Sequence, residues 1–190
     1  YGRSADNIRD HRHVTSLLHH ITVTENGVCV KPTMSFDERG HKKNEQIYYV
    51  MGVSGKGENP AGFYPTVELF LGEGGSYTNP QAVREKKEGV KEGYVAAGKE
   101  AAGAFRFTEI TLQPEERASY TVLLGVTDNE EEIAQIIAEY RTKEEEAIAL
   151  KKVKNYWQEK VNVRYYTGRE EFDNFMRWVS FQPVLRRIYG

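Results

Sequence analysis

The amino-acid sequence predicts a mainly β chain: an antiparallel sandwich over residues 1–126, then a helical segment over 127–190. Three observations carry this. Short runs rich in Val, Ile, Tyr and Thr, punctuated by turn residues, fill most of the chain before Thr127. An Asn26-Gly27 pair lies between two such runs, which is a strong short-range hairpin signal. From Thr127 onward the apolar residues recur every three or four positions instead of every second one.

Taken in order, residues 1–12 are polar and aperiodic and read as an extended linker. Val14 to Phe36 is a β region in which Ile21 and Val23 alternate with threonines before Glu25-Asn26-Gly27 turns the chain into Val28-Cys29-Val30. Asp37 to Glu45 is charged and predicts a loop, Gln46 to Val53 a strand, and Ser54 to Pro60 a second loop. Gly62 to Leu71 reads as a third β run, and Gly72 to Tyr94 as turns with a short helix near Pro80 to Arg84. Phe105 and Phe107 are out of phase with Ile110 and Leu112, which predicts a bulge near Thr108. Ser119 to Val126 is the last strand.

Past Thr127, the pairs Thr127/Glu130 or Asp128/Glu131 suit a capping box before a stripe of Ile133, Ile136, Ile137 and Tyr140. A second helix starts near Lys143, with Leu150, Val153 and Trp157 on one face. Val161 to Tyr166 is a short link. Thr167 to Glu170 caps a third helix, whose Phe172, Phe175, Met176 and Val179 share a face and which Pro183 is expected to interrupt or kink. So apolar a helix calls for a partner, and the chain reads as a piece of a larger protein.

With 39% hydrophobic residues and a net charge of −2, the composition is that of a soluble globular protein. Scattered basic residues argue against nucleic acid, and no apolar run is long enough for a membrane span. Cys29 is the only cysteine, so an intrachain disulfide is excluded and a cytoplasmic location is the simpler expectation. Between two valines it reads as a small buried hydrophobe. His11, His13, His19 and His20 lack a cysteine or carboxylate at a recognisable ligand spacing, so no metal is expected. Gly72-Glu73-Gly74-Gly75-Ser76 lacks the Gly-Lys-Ser/Thr ending of a nucleotide-phosphate loop and reads as a demanding turn. The acidic groups Glu130–Glu132 and Glu144–Glu146 suit first helical turns. Gln182, Arg186 and Arg187 are the candidate substrate-binding residues. Two arginines after an apolar helix can clamp a phosphate or sugar hydroxyls, or can serve as interdomain ion pairs. Spacing alone assigns no catalytic residue.

Several stretches resemble the β-1,2-oligoglucan phosphorylases, relatives of cellobiose phosphorylase among the inverting glycoside phosphorylases of glycoside hydrolase family 94. They are Gly62-Phe63-Tyr64-Pro65-Thr66, Phe70 through Ser76, Phe105-Arg106-Phe107 with Ile110-Thr111-Leu112, and Arg177-Trp178-Val179 through Gln182 to Gly190. The resemblance implies a galactose-mutarotase-like super-β-sandwich joined by linker helices to an (α/α)6 barrel outside this chain. It also implies that phosphate attacks the anomeric carbon while one carboxylic acid, carried by the barrel, protonates the leaving oxygen. The expected partners are then the chain's own barrel, a β-glucooligosaccharide and inorganic phosphate, with a homodimer as a candidate assembly and no cofactor. Gly72–Asn79 is the loop expected to reach the substrate cleft. Two other classes stay open: a carbohydrate-binding sandwich with Tyr48, Tyr49, Phe63, Tyr64 and Tyr77 as its platform, and a purely structural interdomain module.

Overall fold

A computed structural model describes residues 16–37 and 40–189. The expected linker over 1–12, and with it His11 and His13, lies outside the described residues. The Cα packing divides the chain into two compact units, Tyr1–Lys143 and Glu144–Gly190.

The first unit is mainly β and wholly antiparallel among its described pairings. Its centre is a five-stranded sheet in the order β7(Val95–Ala97), β1(His19–Val23), β2(Gly27–Pro32), β5(Ile47–Ser54), β9(Tyr120–Thr127). The predicted hairpin is β1–β2, with Val23 opposite Val28 and Thr24 N–H donating to the Gly27 carbonyl at 2.9 Å. Gly27 is needed for space: a Cβ there would lie 2.1 Å from the Val50 carbonyl oxygen of the neighbouring strand. A second pair, β6(Gly62–Thr66) with β8(Ala101–Arg106), and a hairpin of β3(Met34–Asp37) with β4(Gly40–Lys43) complete the strands. The period of two gives the central sheet two apolar faces. On one, Ile21, Val23 and Val28 meet Phe63 of β6 and Phe105 of β8. On the other, Cys29, Ile47, Tyr49 and Met51 meet Ile133 and Ile137 of helix α3(Glu130–Glu139). Each fully buried aliphatic side chain contributes about 1.5–3 kcal/mol.

Four local expectations are corrected. The charged stretch after Asp37 forms β4, because it pairs back on β3 from Met34↔Lys43 to Asp37↔Gly40. The run from Gly62 to Leu71 stays extended only to Thr66, whose side chain caps Leu69 N–H and starts the short helix α1(Val67–Leu71). The register shift lies between Tyr64 and Thr66 of β6, not near Thr108, and β8 ends at Arg106. The N-cap of α3 is Asn129, which accepts from Glu131 N–H, while Thr127 binds the Glu132 carboxylate instead. The short helix near Pro80 is present as α2(Gln81–Arg84). Strand β7 was not anticipated; its three residues carry too little pattern to stand out. The sequence reading put α3 with the helical segment, whereas Ile133 and Ile137 bury it on the sheet.

The second unit holds α4(Lys143–Lys160) and α5(Glu170–Tyr189). They meet through Trp157 and Phe181, whose rings lie 4.4 Å apart, and Trp178 stacks on Phe181 at 5.6 Å. Tyr165 and Ser180 share a hydroxyl hydrogen bond of 2.9 Å. Asp173 closes the start of α5 by accepting from the Thr167 N–H and hydroxyl. Pro183 does not interrupt the helix, since α5 runs through it to Tyr189. Pro183 has no N–H to give to the Val179 carbonyl, and a proline ring inside a helix crowds that carbonyl as well.

Candidate functional site

The Gly72–Asn79 loop is built by its glycines. Gly72 ends α1 at φ +69° and donates its N–H to Glu68 O at 2.9 Å. A Cβ on Gly75 would lie 1.9 Å from the Leu71 carbonyl oxygen, so only glycine fits. Ser76 and Asn79 then exchange backbone hydrogen bonds of 3.2 and 3.0 Å, and their side presents Tyr77, 63% exposed. The segment is a tight turn displaying an aromatic ring.

The second candidate group sits on α5. Arg186 is exposed and makes no ion pair among the described residues. Gln182, one turn earlier, is half-buried, and its Nε2 is shielded from solvent with no hydrogen-bond partner among the described residues. A buried amide donor left unmatched costs about 1–3 kcal/mol. Helical spacing puts Gln182 and Arg186 on one face. The side chain of Arg187 lies outside the described ones. No motif could have announced the orphaned Gln182 donor, which is a property of packing.

The expected aromatic platform is not assembled. Tyr49, Phe63 and Tyr64 are core residues, 8%, 2% and 6% exposed, while Tyr48 and Tyr77 face solvent. Burial raises the phenol pKa of Tyr49 above its usual value, and the Glu132 and Cys29 charges add to it. Tyr64 is raised by burial as well, and its hydroxyl donates to the Lys87 carbonyl. Cys29 is buried as expected; desolvation first, then the nearby Glu130 charge, pushes its thiol up to about 11. His19 bonds the Lys99 carbonyl through Nδ1 at 3.3 Å. Among the described residues no cluster of His, Cys, Asp and Glu could hold a metal ion, and no helix is long and apolar enough to cross a membrane.

One feature was missed. A cleft between the Ser54–Glu58 turn and the strandless stretch before β9 is lined by Phe107 and Tyr120. The out-of-phase apolar residues after Phe107 were its only trace in the sequence.

No curated protein matches the chain. Residues 5–143, most of its length and covering the β unit through α3, match the family model described as the glycosyl hydrolase 94 supersandwich domain. The chain therefore belongs to glycosyl hydrolase family 94, and its antiparallel β unit is that family's supersandwich domain.

Proposed function

We propose that this chain is the non-catalytic sandwich and linker portion of an inverting phosphorylase that cleaves β-glucans, β-1,2-linked ones in particular, releasing α-glucose 1-phosphate. The family match over residues 5–143 carries this reading, since the family's members are glycoside phosphorylases or hydrolases. In such a reaction phosphate is the nucleophile, so one carboxylic acid suffices, where hydrolysis needs two carboxyl groups. That acid is assigned to an (α/α)6 barrel outside this chain, and the isolated chain is inactive.

Residues on α5 support a role beside that barrel. Phe172, Phe175 and Trp178 are 48%, 57% and 59% exposed, an apolar surface suited to a protein partner. Among the described residues Gln182 offers a donor without an acceptor, and Arg186 a guanidinium without a carboxylate. We assign Gln182, Arg186 and Arg187 to the substrate side of that contact, where a fork of N–H donors suits phosphate or sugar hydroxyls.

The test uses the parent polypeptide and the chain separately, with α-glucose 1-phosphate and short β-1,2-glucan acceptors. Phosphate release by the parent alone is the expected result. No release from the parent with any β-glucoside acceptor would remove the phosphorylase reading. In the parent, Arg186→Ala is expected to raise KM for phosphate or glucan about tenfold, the loss of one charge-assisted contact of about 1.5 kcal/mol. Unchanged kinetics with lower thermal stability would identify Arg186 as an ion-pair residue instead.

A further inference from the structure

The cleft ending at Tyr120 belongs to none of the sites above. Its first wall is the Ser54–Glu58 turn, held rigid from three sides. Ser54 Oγ accepts from Lys56 and Glu58 N–H at 3.3 and 3.1 Å and donates to the Glu58 carboxylate at 3.2 Å. Arg141 grips the Gly57 carbonyl at 3.2 and 3.0 Å. Gly55 N–H ties the turn to the Ser119 carbonyl at 2.7 Å. The second wall carries Phe107 and Tyr120, the outer end of an aromatic series that starts in the core, Phe63 to Phe105 to Phe107 to Tyr120, with successive ring centroids 6.0, 6.4 and 4.5 Å apart. Gly52 makes room for it, because a Cβ there would strike the Phe105 ring at 2.8 Å. Tyr120 ends the series 46% exposed, its ring backed by Phe107 and open to the cleft.

We propose that this cleft binds a single neutral pyranose unit, with Tyr120 as the stacking face. The lining decides the ligand class. Lys56 and Arg117 supply donors that no ion pair consumes among the described residues, and Glu58 and Glu116 supply acceptors. Two cations against two carboxylates leave a formal charge of zero, which disfavours phosphate and suits hydroxyl groups that donate and accept. The cleft holds about 170 Å³, short of the roughly 300–1,000 Å³ of drug-sized sites, so it takes one ring and not a chain. A ring face on an aromatic and hydroxyls on charged groups are complementary demands, and both are met here on a fixed scaffold. This inference stands on the lining of the cleft and does not depend on the phosphorolysis reading.

Amide chemical shifts of the full 190-residue chain, titrated with methyl β-glucopyranoside, a β-1,2-linked glucose disaccharide and inorganic phosphate, test it. Both sugars are expected to give saturable shifts at Lys56, Phe107 and Tyr120, with a Kd on the order of 1–10 mM, and phosphate none. Tyr120→Ala should weaken binding at least tenfold and Tyr120→Phe should retain it. Lys56→Ala, a change at an exposed side chain, should weaken it about threefold without altering the spectrum elsewhere. Saturation by phosphate alone, no saturation by either sugar, or full binding by Tyr120→Ala overturns the proposal. Because no phosphate release is measured, its failure and that of the phosphorylase reading are separately visible.

Discussion

The β unit and the helical unit spend their apolar residues in opposite ways. In the first, Ile21, Val28, Met51 and Val53 are almost completely removed from water on the two faces of one sheet. In the second, α4 has no buried residue at all, and Ile148, Leu150 and Val153 are each more than half exposed. Hydrophobic content alone would not separate the two. Which face finds a covering layer does. The β unit carries its own covering layers, β6–β8 on one side and α3 on the other, whereas the helices meet mainly through Trp157 and Phe181. Stability therefore resides in the sheet, and the helices offer surface.

The sharpest way to break that contrast is to cut into each region in turn. Ile21→Ala removes a side chain with no exposure and is expected to cost about 3 kcal/mol in urea unfolding of the β unit. A loss below about 1 kcal/mol would mean the sheet is not the stable element.

The buried thiol provides a second, pH-dependent cut. Cys29 ionises near 9 when free and near 11 in the fold, so the folded state holds its proton longer than the unfolded one. Its contribution is complete below pH 9, falls as pH rises from 9 to 11, and is absent from Cys29→Ala. Unfolding curves of the two proteins that remain parallel across this window would contradict the burial of the thiol.

The smallest effect is expected in the helices. Phe172→Ser with Phe175→Ser replaces two rings that are 48% and 57% exposed and should change stability in urea unfolding by no more than about 0.5 kcal/mol. A loss as large as that of Ile21→Ala would erase the distinction between the two regions.

Much of the fold was legible in the sequence, because its cues are local. The β1–β2 hairpin, β5, β9 and all three long helices follow from alternation, from Asn26-Gly27 and from the stripes of isoleucine and aromatic residues. What escaped depended on partners distant in sequence. The charged residues of β4 are extended because β3 pairs with them, and α1 begins at Thr66 because its hydroxyl finds Leu69 N–H. The sites were less readable for the same reason. Adjacent arginines mark Arg186 as interesting, but neither the Gln182 amide, unpaired among the described residues, nor the meeting of Lys56 and Tyr120 in the lining of one cleft has a one-dimensional signature. The supposed aromatic platform failed because strand alternation turns Tyr49 into the core and leaves Tyr48 outside.

Strand β9 lies at the edge of the five-stranded sheet, and its sequence Tyr120-Thr121-Val122-Leu123-Leu124-Gly125-Val126-Thr127 contains no charge and no proline. Leu124 is 78% exposed on it. Natural edges are commonly blunted by lysine, proline or a bulge, and among the described residues this one is not. When concentrated alone, the chain thus carries a ready template for misassembly into intermolecular β-structure. Its handling in the test tube is set by eight uncharged residues at one border of the sheet.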